Sequence, residues 1–190
     1  MCVFCGSSDG SRPEYAAAAE ALGAALARAG IKLVYGGAHV GLMGRIADAA
    51  LGAGGKVVGV MPAVLVEKEV AHRGLTELHE VASMHERKAL MADLSDGFIS
   101  LPGGAGTMEE AFEVWTWAQL GIHAKPVAFL NVDGYFDKLI DLVDHMVQNE
   151  FLRRQHADML IVRPGVDELI AACRAYVPRH VTKWIGAENR

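Results

Sequence analysis

The segment FISLPGGAGTMEE, residues 98–110, joins a short apolar run, a glycine-rich loop and the start of a helical pattern. The run Phe98–Leu101 is typical of a buried strand, and a helix is predicted over Thr107–Leu120. Glycines let a backbone approach a ligand closely, and the free amides at a helix start favour a phosphate. A tight turn that needs glycine would give the same pattern, so this segment alone leaves both interpretations open.

The same strand–loop–helix order recurs along the chain. Strands are predicted at Met1–Gly6, Lys32–Tyr35, Lys56–Val60, Leu78–Val81, Phe98–Leu101, Val127–Leu130 and Leu160–Val162. Helices are predicted from a Ser11–Glu14 start to a stop at Gly30, and over Gly41–Leu51, Ser83–Ser95, Thr107–Leu120, Tyr135–Gln148 and Val166–Tyr176. Only Met61–Thr76 joins two strands without a convincing helix. Because such alternation implies right-handed crossovers, we expect the α/β class. The predicted fold is a single Rossmann-like domain over residues 1–190, a doubly wound, mainly parallel sheet with helices on both faces.

Composition narrows the class of protein. The 190 residues are 52% hydrophobic and 22% charged with a net charge of −5, which predicts a globular protein and argues against a nucleic-acid partner. Three cysteines, Cys2, Cys5 and Cys173, are too few for a disulfide framework. Cys2 and Cys5 lie three apart on a predicted strand and so point to opposite faces; we expect half-buried side chains rather than a metal site. No apolar run reaches the length of a membrane span, and we expect a cytoplasmic protein.

Two further loops are rich in small residues. Gly6 and Ser7 follow the first strand, and the run 36–44 contains Gly37 and Gly41. A second glycine-rich loop between a strand and a helix strengthens the prediction that a phosphate binds, with Gly103, Gly104, Gly106 and Thr107 as its direct contacts. No Gly-Lys-Ser/Thr follows the glycines, and neither loop has the spacing of a dinucleotide fingerprint. A mononucleotide or sugar phosphate fits better.

Charged residues lie beside these loops. Arg87 and Lys88 fall in the first turns of the helix that opens at Ser83, where a cation opposes the helix dipole. This placement predicts a phosphate or carboxylate partner; two solvated surface cations are the alternative. Glu110 has capping-box spacing from Thr107, and the same position would aim a catalytic carboxylate at the glycine loop. The spacing leaves both roles open.

Taken together, these motifs resemble the cytokinin riboside 5′-monophosphate phosphoribohydrolases, the Lonely guy family. The motifs that carry the likeness are Cys5-Gly6-Ser7-Ser8, Tyr35-Gly36-Gly37, Gly41-Leu42-Met43-Gly44, Met84-His85-Glu86-Arg87-Lys88, Pro102-Gly103-Gly104-Ala105-Gly106-Thr107-Met108-Glu109-Glu110 and Thr116-Trp117-Ala118-Gln119-Leu120-Gly121-Ile122-His123 with Lys125-Pro126. They cover nearly the whole chain. Ala38 departs from the family, which often has a third glycine there, and this concerns the shape of that loop.

The resemblance implies hydrolysis of an N6-substituted AMP to the free base and ribose 5-phosphate. Because His39, His85 and His123 are scattered singly, we expect no metal site, and we expect no other cofactor. Arg87 and Glu110 would be the catalytic pair. The implied substrate contacts are Glu69, Met84, Arg87, Lys88, Gly104, Ala105, Gly106, Thr107, Met108, Glu109, Glu110 and Thr116. The family is typically homodimeric, which would suit Trp117, a residue off the predicted core stripe of its helix. Such proteins have often been labelled lysine decarboxylases, and the sequence offers no convincing pyridoxal phosphate site.

Two other functions stay open from the sequence. A broader nucleosidase would accept plain AMP or other nucleoside monophosphates. A non-catalytic carrier or sensor of a nucleotide-containing cofactor would keep the glycine loops but would not need Arg87 together with Glu110.

Overall fold

Seven parallel strands form one sheet in the computed structural model, which describes residues 1–66 and 70–178. The strands are β1 Cys2–Phe4, β2 Leu33–Tyr35, β3 Val57–Pro62, β4 Glu77–Val81, β5 Phe98–Ser100, β6 Val127–Leu130 and β7 Leu160–Arg163. Their order is β4-β3-β2-β1-β5-β6-β7. Every named strand pair in the described part of the chain is parallel, where the sequence predicted a mainly parallel sheet. The doubly wound α/β fold is confirmed.

Helices connect the strands. They are α1 Pro13–Arg28, α2 Gly41–Gly52, α3 Ala63–Val66, α4 Met84–Asp93, α5 Ala105–Gln119, α6 Asp137–Gln148, α7 Arg154–Ala157 and α8 Val166–Arg174, with one 3-10 turn at Val132–Gly134. The short helices α3 and α7 were not predicted, because four residues give too little periodicity to recognise.

Two predicted helix starts are wrong, and one helix that starts within its predicted stretch lacks the predicted cap. Arg12, not Ser11, is the residue before α1, and no side chain caps that helix. The 3-10 turn after β6 delays α6 until Asp137. Helix α5 begins at Ala105, two residues earlier than predicted, because the extended backbone of Gly104 serves as its N-cap.

Alternate residues of the central strand enter different halves of the core. Val3 and Cys5 pack with the helices on one face, whereas Cys2 and Phe4 pack on the other. This is the two-residue period of a strand with both faces covered. Cys2 and Cys5 are free thiols and are buried rather than half-buried. Each fully buried leucine-sized side chain in such a core contributes about 1.5–3 kcal/mol.

The strand order reverses between β1 and β5. From β1 the chain builds outward through β2 and β3 to β4, then returns to place β5 on the other side of β1. The loops after β1 and β5 therefore lie side by side, and the Gly6 amide donates to the Pro102 carbonyl at 3.0 Å. A reversal of this kind opens a crevice at the carboxyl ends of the strands, where ligands bind in doubly wound folds.

No helix in the described residues is long and apolar enough to cross a membrane.

Candidate active site

A buried ion pair lies at this crevice. Nη1 of Arg87, on α4, lies 2.6 Å from Oε1 of Glu110, on α5. Nε of Arg87 also donates to the Val60 carbonyl oxygen, at 3.2 Å. The side chains are only 12% and 10% exposed. Because the guanidinium is hydrogen-bonded to β3 as well as to Glu110, it is held in one place.

Local sequence explains why Arg87 is presented at the start of α4. The Ser83 side chain accepts a hydrogen bond from the Glu86 amide, as the predicted capping box requires. The Glu86 carboxylate accepts in return from the Ala82 amide rather than from that of Ser83. The cap fixes the first turn of α4, and Arg87 is the next residue. The sequence predicted a phosphate or carboxylate partner for this cation, and Glu110 is such a carboxylate.

The structure also shows where the Glu110 side chain points. Since α5 begins at Ala105, Glu110 lies beyond its first turn, and the capping box that the sequence offered as one of two interpretations does not form. The carboxylate turns inward to Arg87 instead. Burial raises the pKa of Glu110 above its usual value, and the charge and hydrogen bond of Arg87 oppose that rise. A buried carboxyl with a shifted pKa beside a cleft is the kind of group that serves in acid–base chemistry.

A second ion-pair cluster borders the first. Nζ of Lys88 lies 2.6 Å from Glu109 Oε1 and 3.0 Å from Glu113 Oε2. Burial opposes the charge on Lys88, but the hydrogen bonds to the two carboxylates outweigh it and raise the lysine's pKa. Two cations thus face three carboxylates at this site, counting Glu110. Any anion that binds here has to rely on neutral donors as well as on these cations.

The glycine loop supplies such donors. Gly104, Ala105 and Gly106 are exposed at the N-terminus of α5, with open space where a Cβ would stand on either glycine. Gly103 is enclosed: a Cβ there would lie 2.7 Å from Thr107 Cβ and 2.9 Å from the Gly6 nitrogen. The loop is therefore fixed on its inner side and open on its outer side. Backbone amides at a helix start are well suited to a phosphate.

The pair and the loop share one cleft of about 360 Å³. Its lining consists of Val3, Phe4, Cys5, Gly6, Ser7, Gly36, Met43, Met84, Arg87, Gly104, Ala105, Gly106, Thr107, Glu109 and Glu110. Ten of these were predicted site residues. The structure thus brings together residues from four separate loops of the sequence.

Some predicted residues lie elsewhere. Met108 packs against the cluster of Ala111, Phe129 and Phe136, away from the cleft. Thr116 is half-buried farther along α5, and Lys88 is paired with Glu109; neither residue lines the cleft. Their roles as substrate contacts stay predictions. Glu69 lies outside the described residues.

The glycine-rich loop at residues 36–44 packs against other parts of the protein. Gly37 has a φ of +81° and packs against Leu78 and Gly59. Gly41, with a φ of +54°, touches the backbone of Ser7. Neither glycine lines the cleft. The sequence made these glycines candidates within a ligand loop; in the structure they allow neighbouring segments to pack closely.

Gly36 lines the cleft and was not among the predicted site residues. A Cβ at this residue would overlap Nη2 of Arg87 and lie 3.2 Å from the sulfur of Met43. Glycine is needed here for space, because the end of the guanidinium lies where a Cβ would stand. Its place in a Gly-Gly pair at the end of a strand was the available signal.

The fold and the site together define an α/β protein with a cleft bordered by a glycine-rich helix start and a buried Arg–Glu pair. A family model described as "Possible lysine decarboxylase" matches residues 43–173. A probable cytokinin riboside 5′-monophosphate phosphoribohydrolase of Oryza sativa subsp. japonica is 51% identical over 178 residues, covering 94% of this chain and 78% of that protein. The cytokinin riboside 5′-monophosphate phosphoribohydrolase of Rhodococcoides fascians is 49% identical over 174 residues, covering 91% and 88%. This chain belongs to the phosphoribohydrolase family, as the motifs indicated.

Solved structures share the fold. The molybdenum cofactor binding protein of Rippkaea orientalis aligns with a TM-score of 0.69 at 20% identity, covering 92% of this chain and 94% of that one. The molybdenum cofactor carrier protein of Chlamydomonas reinhardtii aligns equally well, with a TM-score of 0.69 at 21% identity and the same coverage. At these identities the likeness concerns the fold alone.

Proposed function

We propose that this protein hydrolyses the N-glycosidic bond of N6-substituted adenosine 5′-monophosphates, giving the free base and ribose 5-phosphate. The observation that carries the proposal is the buried Arg87–Glu110 pair, which borders the same cleft as the exposed amides of the glycine loop. The names of the relatives, which are phosphoribohydrolases of cytokinin riboside monophosphates, support it.

The glycine loop would bind the 5′-phosphate. Amides of Gly104 to Gly106 and the hydroxyl of Thr107 are neutral donors at the positive end of α5. The phosphate is remote from the bond that breaks, so its binding energy can be used to position the ribose. Phe4, Met43 and Met84 provide apolar surface in the same cleft for the base.

Glu110 would act at the reacting carbon. As the bond from C1′ to the base nitrogen breaks, its electron pair leaves with the base and positive charge develops on the ribose. The ionised carboxylate stabilises this charge or takes a proton from the water whose oxygen attacks C1′. Arg87 orients Glu110 and keeps it ionised, or holds the leaving base. The base gains a proton as it departs.

The direct test is base release in EDTA. The purified protein is incubated with isopentenyladenosine monophosphate and with AMP, and free bases are separated by chromatography. Rapid release from the substituted nucleotide and little from AMP supports the proposal, and continued release in EDTA supports a reaction without a metal. Equal release supports a broader nucleosidase. No release from either nucleotide, with binding intact, contradicts hydrolysis and leaves a carrier or sensor.

A separate incubation with lysine and pyridoxal phosphate tests decarboxylation. Release of CO₂ would support the family model's description as a possible lysine decarboxylase.

Assembly and location belong to the same proposal: one domain over residues 1–190 acting as a cytoplasmic homodimer. Trp117 was expected to lie off the core stripe, and in the structure it is half-buried against a core cluster. The exposed apolar residues nearby are Leu120 and Ile122, the latter 65% exposed. Light scattering on the protein as it elutes from a size-exclusion column should give twice the mass of one chain. Ile122→Glu should lower the measured mass toward that of the monomer. An unchanged mass would exclude the surface around Leu120 and Ile122 as the dimer interface.

A further inference from the structure

The turn between β6 and α6 is held tightly by its own side chains. Oδ1 of Asn131 accepts from the Phe136 amide at 2.7 Å, and Nδ2 of Asn131 donates to Asp137 Oδ1 at 2.7 Å. Gly134 has a φ of +70°, which favours glycine, and a Cβ there would lie 2.5 Å from the Asp137 carboxylate. The residue that this rigid turn presents is Tyr135.

Tyr135 reaches across to the glycine loop. Its hydroxyl donates a hydrogen bond of 2.6 Å to the carbonyl oxygen of Gly103, a residue 32 positions away. Its ring is held edge-on by Phe136, with centroids 5.0 Å apart, and by Tyr15, at 5.6 Å. Both tyrosines line a second cavity of about 300 Å³, which shares Gly6, Ser7 and Gly104 with the cleft.

The bond acts on the peptide that begins the phosphate-binding loop. The Gly103 carbonyl and the Gly104 amide belong to one planar trans unit, so the C=O and the N–H point in opposite directions. The hydrogen bond from Tyr135 keeps the Gly103 carbonyl oxygen pointing toward the tyrosine. The Gly104 N–H is thereby turned away from Tyr135, and the negative end of this peptide dipole is kept from a bound anion.

We propose that Tyr135 is a positioning residue that fixes the orientation of the Gly103–Gly104 peptide for the 5′-phosphate of the nucleotide. This inference rests on the proposed function only in taking a 5′-phosphate as the group bound at the loop. It assigns to the β6–α6 turn a part in recognising the phosphate, and it predicts that the tyrosine hydroxyl matters for phosphorylated ligands alone.

Tyr135→Phe removes the hydroxyl and keeps the ring. We expect the Kd for AMP and for ribose 5-phosphate to rise about 3- to 10-fold, the range of one hydrogen bond. Since Tyr135 is 40% exposed, the lower part of that range is expected. The Kd for adenosine, which has no phosphate, should not change, and kcat should change less than KM. Tyr15→Phe is the matched control, because it keeps both the ring contact and the Tyr135 hydroxyl.

Binding is measured by calorimetry, with inorganic phosphate as a competitor and the unfolding midpoint of each variant as a check on folding. A selective loss for phosphorylated ligands in Tyr135→Phe, absent in Tyr15→Phe, supports the inference. Unchanged AMP affinity, equal losses for AMP and adenosine, or the same loss in Tyr15→Phe overturns it.

Failure of the proposed function gives a different result. If the unaltered protein binds AMP but releases no base, hydrolysis is excluded, while the affinities still decide the role of Tyr135. If it binds no phosphorylated ligand at all, both the proposed function and this inference fail.

Discussion

The guanidinium of Arg87 lies directly over Gly36, so closely that a Cβ at residue 36 would overlap Nη2. The same guanidinium donates to Glu110 and to the carbonyl of Val60. A glycine at the end of β2 thus makes room for an ion pair that joins α4 to α5. The pair depends on a residue that has no side chain of its own.

Gly36→Ala should therefore damage the site. The added methyl group displaces the guanidinium and misaligns Glu110; a shift of about 1 Å in a catalytic group can lower the rate about 10²-fold. We expect a loss of that order in kcat/KM for the N6-substituted nucleotide. Gly52→Ala is the control, because a Cβ at that position at the end of α2 meets nothing within 4 Å. Activity equal to that of the control would show that Arg87 can move without consequence.

Glu110→Gln tests the carboxylate directly. The amide keeps the shape but cannot accept a proton or carry a negative charge, so kcat should fall by about 10²- to 10⁴-fold. Base release and thermal unfolding would both be measured. Glu168→Gln, an exposed change on α8, is the comparison. If the two variants have similar activity, the catalytic assignment is wrong and Glu110 serves only to bind α4 to α5.

The raised pKa of Glu110 has a consequence for activity. If the ionised form is required, the acid limb of the kcat/KM profile should have its midpoint above 4.5, the usual value for a glutamate. Arg87 opposes the rise, so Arg87→Gln should move the limb to still higher pH in whatever activity is left. A limb at or below the usual value would contradict an essential, buried Glu110.

The raised pKa of Glu110 should also make the free energy of unfolding fall as pH rises. A carboxyl whose pKa is higher in the folded state binds more protons there than when unfolded, so stability falls as pH rises from the unfolded pKa to the folded one. Because Glu110→Gln cannot titrate, its free energy of unfolding should lack this fall. Denaturant unfolding of both proteins from pH 4 upward, in steps of about half a unit, measures the difference. Parallel curves would refute the raised pKa.

Alanine substitution should affect stability very differently at the neighbouring residues Gly103 and Gly104. In Gly103→Ala the methyl group meets Thr107 and the Gly6 nitrogen, and overpacking of this kind costs about 1–3 kcal/mol of unfolding free energy. In Gly104→Ala the methyl group enters open space, and the unfolding midpoint should stay near that of the unaltered protein. Equal midpoints for the two variants would mean that Gly103 is not enclosed as described.

Much of the site could be read from sequence because its residues follow strands. Ligands in doubly wound folds sit beyond the carboxyl ends of the strands, so Gly6, Ser7 and the glycine loop could each be predicted as parts of ligand loops. The strand order then places the loops after β1 and β5 side by side. The capped start of α4 placed Arg87 and Lys88 near carboxylates. In contrast, the sequence could not show that Gly37 and Gly41, candidates within a ligand loop, pack against neighbouring segments and do not line the cleft. A glycine that admits a ligand and a glycine that admits a neighbouring loop look the same in sequence.

The sequence by itself determined the alternation of strands and helices, the glycine-rich loop and the identity of the charged residues. These depend on local periodicity and on residue chemistry. Only the tertiary structure decided that Glu110 faces Arg87 rather than the end of its own helix, that Gly36 makes room for the guanidinium, and that Tyr135 binds the Gly103 carbonyl. Each of those contacts joins residues at least 23 positions apart, and its geometry depends on how whole helices pack against the sheet, which no local pattern encodes.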